Sequence, residues 1–341
     1  MTTEAIARIR RRQRVRATTV VAVGAGLSVG LLVLTMSLGV AGVPPARALP
    51  AIVGIGERLD LLVVQQLRLP RGLAAILAGA AFGLAGALFQ STLRNNLASP
   101  DILGISQGAS LGAITAVIGF GAAGVAVSLA ALGGGLTVAL AIWALAWRNG
   151  LHGLRFVLVG VGLSYLCGSL VAWWLSEADI REAGSALLWT VGSVADVRDG
   201  SLDVLASGVA ALGLLAVAVS GEQRPLALGD EHAHGLGVGA TRARAVALLI
   251  GVGLVALATS VTGPIAFVAL VAPAIARRLV DDGGPALLPA AALGSALTMA
   301  ADVLGQHALP GFTAPVGIVT GLVGAPYLLW LLARSERKVS P

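Results

Sequence analysis

Hydrophobic positions in this chain gather into apolar blocks of about 18 residues or more, which recur along its length between short polar interruptions. A block of that length is what a helix needs to cross the ~30 Å hydrocarbon core of a bilayer. The period-two alternation of a membrane barrel is absent, so the spans are expected to be helices. The pattern predicts ten of them, over about residues 17–43, 72–93, 102–120, 122–147, 156–175, 204–220 and 245–261, then one after the Gly263-Pro264 break that ends at Arg277-Arg278, and finally 285–304 and 315–332. Residues 44–67 read as an outside loop with room for a short helix. The acidic stretch 176–203 carries an apolar island, Ala186 to Val194, too short to span, which predicts a re-entrant or interfacial helix. The organisation is therefore a basic N-terminus (1–16), a single transmembrane domain (17–333) and a short tail (334–341). A basic start followed by Ala46-Arg47-Ala48 resembles a cleaved signal peptide, but the ~25 apolar residues between them exceed an ordinary signal core, so the first span is read as retained.

Composition agrees: 57% of residues are hydrophobic, 12% are charged and the mean hydropathy is +0.90, against roughly 25% charged in a soluble domain. The 46 glycines suit helices that pack backbone to backbone, as spans do where lipid supplies no hydrophobic drive. The net charge of +6 is explained by topology rather than by nucleic acid, because the arginines lie in short loops beside spans. With both termini placed in the cytoplasm, inside segments hold 17 Lys and Arg and outside segments hold 6 (Arg47, Arg58, Arg68, Arg71, Arg181, Arg198), which favours this orientation over its inverse. Cys167 is the only cysteine, so no internal disulfide can form, and it reads as a small core residue.

Candidate chemistry is sparse. The sole lysine is Lys338, so the chain has no Walker-type phosphate loop, and any ATP that drives it is hydrolysed by another chain. His152, His232, His234 and His307 are scattered and predict no metal site. By these boundaries no charge lies deep in a span, which weakens a proton-coupled carrier; Asp302 comes nearest and reads as a helix-end carboxylate. Arg68 and Arg71 flank Pro70, a residue suited to a first helical turn, where two cations repel the positive end of the helix dipole. That placement makes sense if a negative partner arrives. In the polar segment 221–244, Gly229 can end a turn, Asp230 and Glu231 suit the start of a new short helix, and Gly235 and Gly237 stop it.

Several stretches together resemble the cobalamin and ferric-siderophore permeases, the membrane subunits of one class of ABC importer. The first runs from Arg68-Leu69-Pro70-Arg71 through Gly79, Gly86, Gln90, Arg94-Asn95, Pro100-Asp101 and Leu103-Gly104 to Gly108-Ala109. Leu228, Gly229, Asp230, Glu231, Ala233, Leu236, Gly237 and Val238 are similar to the family's coupling segment, which docks into a cleft of the ATPase. Gly263 to Arg278 and Pro315 to Thr320, with Gly324-Ala325-Pro326, extend the likeness over nearly all of the chain after the first span. The Phe89-Gln90-Ser91 flavour is closest to the catechol-siderophore permeases.

The resemblance implies an all-α, ten-helix permease with short coupling helices, working beside a second permease chain that is either a copy or a relative. Two ATP-binding subunits, which hold the ATP and Mg, and an extracytoplasmic binding protein complete the implied complex; the chain itself needs no cofactor. It further implies docking of the binding protein at Arg68 and Arg71, ATPase coupling at Leu228, Gly229, Asp230, Glu231, Leu236 and Gly237, and a cytoplasmic gate at Asn95 and Leu97. Three positions depart from the pattern: Asn96 and Ala274 stand where proline and histidine are usual, and Gln306 where members often carry a docking arginine. The cargo stays open among siderophore chelates, haem and cobalamin, and a proton-coupled secondary carrier is the rival from another class.

Overall fold

The computed structural model describes residues 3–38, 42–146, 153–195, 197, 199–227, 229–308 and 313–336; Leu228 lies outside them. The described residues form helices and no strand. The first helix, α1 (Thr3–Ser37), is 35 residues long, because the arginines expected to precede the first span are good helix formers and simply extend it. Two short helices, α2 (Pro45–Ile52) and α3 (Arg58–Leu61), occupy the segment read as an outside loop. From Arg58 onward the chain stays helical to Thr92, passing through a π-helical turn (Leu62–Arg68) into α4 (Leu69–Thr92). The expectation that a helix opens at Arg68 is thus corrected. A wide π turn relieves the missing N–H and the ring clash that Pro70 would otherwise bring to a helix interior, so no helix end, and no end charge, faces the two arginines.

The next helices are α5 (Ile105–Ile114), which ends in a π turn (Thr115–Gly119), α6 (Val125–Ala146) and α7 (Gly153–Glu177). Around the predicted apolar island runs α8 (Ile180–Val191), stopped by Gly192 at φ +80°. Then come α9 (Asp199–Ala218), α10 (Ser220–Ala227), α11 (Asp230–Gly235) and α12 (Ala240–Thr262). The Gly263-Pro264 break falls where the residues predict it, ahead of α13 (Val268–Val280), α14 (Leu287–His307) and α15 (Val316–Glu336).

Seven helical stretches among the described residues are long and apolar enough to cross a membrane. The three other predicted spans fall on shorter apolar helices: α5 with its π turn, α13 and α15. At 13 residues α13 is about 20 Å long, short of the ~30 Å core, because Gly263-Pro264 and the turn to Phe267 take up the start of the expected span.

The core is built around α4, which packs against α14, α12, α13 and α9. Backbone touches backbone there. A Cβ on Gly79 would lie 2.4 Å from the carbonyl oxygen of Gly294, and one on Gly86 would lie 1.8 Å from that of Ala269, so only glycine fits at either place.

Candidate functional sites at the two ends of α4

At the first end, Arg71 makes a forked contact with Asp302 of α14. Its Nη2 donates to Oδ1 at 2.8 Å and its Nε to the same carboxylate at 3.1 Å. Asp302 is 1% exposed, deeper than the helix-end carboxylate the sequence suggests. It can be that deep because its charge is met twice, by the guanidinium fork and by Gln306, one turn along α14, whose Nε2 donates to Oδ2 at 2.7 Å. Gln306 therefore satisfies the carboxylate without adding the second cation that an arginine at this place would bring. Arg68 points elsewhere and donates to the carbonyl of Thr35 on α1. The two arginines thus hold different helices to α4, a divergence that their three-residue spacing does not reveal, and Asp302, which reads in the sequence as a helix-end carboxylate, is the buried counter-charge of one of them. A partner 231 positions away leaves no local signal.

At the other end, α4 stops in a left-handed turn. The N–H of Asn95 reaches back to the carbonyl of Gln90 at 3.2 Å, the six-residue closure typical of a helix C-terminus, and Arg94 takes the left-handed position at φ +49°. Glycine is usual there; an arginine costs about 1–2 kcal/mol and persists where its surroundings hold it. Asn95 is exposed and accepts the N–H of Leu97 at 2.9 Å, so the two predicted gate residues form one small turn with Leu97 half-buried. Gln90, 2% exposed, donates to the carbonyl of Leu270 at 3.1 Å and accepts from Arg277, whose Nη2 also reaches Asn96 at 3.2 Å. A proline in place of Asn96 could not make that contact. The loop continues to Asp101, which accepts from Ser106 at 2.7 Å and lies close to Ser99; burial pushes its carboxyl up to about 6, against the pull of those hydroxyls toward the charged form.

Beside this loop lies the 221–244 segment. It contains α10, a helix that the polar composition concealed, and α11, whose bounds follow the predicted signals. Gly229 precedes α11 at φ +114° and Gly237 follows it at φ +81°. Ala233 is fully buried against Leu226 and Ala243, while Glu231 is exposed and Leu236 is 64% exposed. The segment therefore hangs on a small apolar anchor and leaves the side chain of Leu236 facing outward. Of Asp230 only the backbone is described, as the first residue of α11. Among the described residues no group of three or more His, Cys, Asp or Glu could hold a metal ion.

This arrangement, a glycine-packed core of long apolar helices with a short exposed helix carried on the segment that meets the end of the central one, is that of a multi-pass membrane protein. The chain belongs to the FecCD transport family, whose model matches residues 18–334. It is 36% identical over 293 residues to the ferric enterobactin transport system permease protein FepG of Escherichia coli, covering 86% of this chain and 89% of that one. It is 34% identical to the vitamin B12 import system permease protein BtuC of Citrobacter koseri, covering 81% of this chain and 84% of that one. A solved structure described as an inward-facing conformation of a putative metal-chelate type ABC transporter superposes with a TM-score of 0.82 at 24% identity, covering 93% of this chain and 99% of that one, and so shares the fold. The chain is a multi-pass permease of the family that imports iron chelates and vitamin B12.

Proposed function

We propose that this chain is the membrane subunit of a binding-protein-dependent importer of a ferric siderophore in the cytoplasmic membrane, powered by two separate ATP-hydrolysing subunits. Family membership, with FepG of E. coli among the relatives, supports the cargo class, and the absence of a phosphate loop supports a separate motor. The observation that carries the reading is α11, a six-residue helix bounded by glycines, anchored by Ala233 and exposing Leu236 beside the loop of Asn95 and Leu97. In this reading α11 docks on the ATPase, Asn95 and Leu97 gate the path, ten membrane crossings put both termini in the cytoplasm, and a second permease chain completes the path. A chelate arrives wrapped in organic ligand, so its path needs no metal ligands. Arg68 and Arg71 receive the acidic surface of an extracytoplasmic binding protein, and at Arg71 that acid competes with Asp302.

The test is reconstitution in proteoliposomes with the ATPase and the binding protein. ATP-dependent uptake of ferric enterobactin or another ferric siderophore is expected, and it should vanish without the ATPase. Uptake by the chain alone, driven by a proton gradient, would overturn the proposal in favour of a secondary carrier.

A further inference from the structure

Three polar ties converge on α10, the helix the sequence concealed. The first joins it to α4: Gln223, 1% exposed, accepts from the hydroxyl of Thr92 at 3.2 Å, beside Ser91 at 3.5 Å. The second joins it to the turn between α13 and α14, where Arg224 pairs with Asp282 at 2.8 Å and Asp282 in turn accepts the N–H of Gly284 at 2.8 Å. The third is the most telling. The carbonyl of Leu226, in the last turn of α10, has no acceptor role left within that helix. It accepts the guanidinium of Arg94, the left-handed residue that closes α4, and the N–H of Gly229, the residue just before α11, at 3.3 Å. One buried oxygen thus links the end of α4 to the start of α11, with a cation at the negative end of a helix, where it is favoured.

We infer that α10 is the transmission element of the transporter and that Arg94 and Gln223 are its positioning residues, fixing the loop of Asn95 and Leu97 to the α11 segment so that the two move as one body. The inference rests on the function proposed above and adds the residues that connect its two sites. Three features support it. Arg94 holds a strained backbone conformation exactly one residue before Asn95, so any displacement of Leu226 acts on the gate turn directly. Gln223 is a buried amide whose Nε2 has no hydrogen-bond partner among the described residues, which is a poor choice for static packing and fits a group kept for its oxygen. The far side of the same loop is held through Asn96 by Arg277 of α13, so the loop is gripped from two sides and α10 is one of the grips.

The test uses the full complex with its ATPase subunits and needs no cargo. In a Cys167→Ser background, Leu97→Cys reports the gate through its rate of maleimide labelling with and without Mg·ATP. A clear nucleotide-dependent change is expected in the otherwise unmodified complex. Arg94→Met combined with Gln223→Leu is expected to shrink that change about tenfold, the scale of two lost hydrogen bonds at the low end of their usual worth, with the ATPase still co-eluting. Arg94→Lys and Gln223→Glu keep a donor and an acceptor in place and are expected to preserve the response, which separates positioning from mere packing. A full response in the Met/Leu variant, or loss of ATPase co-elution from it, would overturn the inference alone. A Leu97→Cys that ignores nucleotide in the unmodified complex would overturn the gate assignment and this inference with it.

Discussion

Two sets of helices in this molecule are almost equally apolar and yet do opposite things. Of the spanning windows in the stretch that carries α4, in α12 and in α14, 78%, 72% and 61% of residues are buried; in α6, α7 and α9 the shares are 28%, 22% and 17%. Hydropathy does not separate the sets, because a lipid tail is as apolar as a protein interior and the same leucine suits either. Close approach of backbones is not confined to the inner set, since a Cβ on Gly134 of α6 would lie 2.2 Å from the carbonyl oxygen of Gly108 on α5; what differs is position, for one on Gly294 of α14 would lie 2.1 Å from the carbonyl oxygen of Gly79, whereas one on Gly162 of α7, or on Gly30 of the equally exposed α1, would meet nothing within 4 Å.

Substituting these glycines is the strongest way to break that contrast. Gly294→Leu drives a side chain into a backbone and is expected to cost more than ~3 kcal/mol, seen as loss of monodisperse protein in detergent. Gly30→Leu is expected to leave the thermal midpoint within a degree or so of the parent. Equal damage from both would show that hydropathy, not close approach, defines the core.

Next in size is the ion pair that joins the first turn of α4 to α14. Asp302→Ala leaves the Arg71 guanidinium with no carboxylate and is expected to destabilise by about 3 kcal/mol, the low end for a broken buried pair because Arg71 keeps some solvent contact. Arg71→Met with Asp302→Leu should recover most of that loss, and thermal unfolding of the parent, the single variant and the double variant measures it. The smallest effect is a single hydroxyl. Ser295 on α14 donates across to the carbonyl of Ile76 on α4 at 2.8 Å, so Ser295→Ala is expected to cost about 0.6 kcal/mol. Thr137 on α6 bonds only its own helix, to Gly133 at 2.8 Å, and Thr137→Ala should register no loss by the same unfolding measurement.

The same contrast explains what could be read in the residues alone. Features set by a few neighbouring positions were legible: the glycine-bounded α11, the Gly263-Pro264 break and the α-helical membrane class. The family likeness was legible as well, since glycines such as Gly79 and Gly86 are recognisable without knowing what they touch. Features that depend on distant partners were not. Asp302 reads as a helix-end carboxylate until Arg71 is seen against it, and 221–227 reads as polar loop until Gln223 is seen under Thr92. The π turn before Pro70 was hidden for a different reason: proline is over-represented at the first position of a helix, and nothing local distinguishes one that is entered already wound.

The contact between Gly79 and Gly294 has a mechanical meaning. Where two main chains meet with no layer of side chains between them, there are no rotamers to exchange, and the Arg71–Asp302 pair and the Ser295–Ile76 hydrogen bond between the same two helices pin their register. α4 and α14 form a single strut, and when the molecule changes shape the displacement must be taken up by the helices leaning on it.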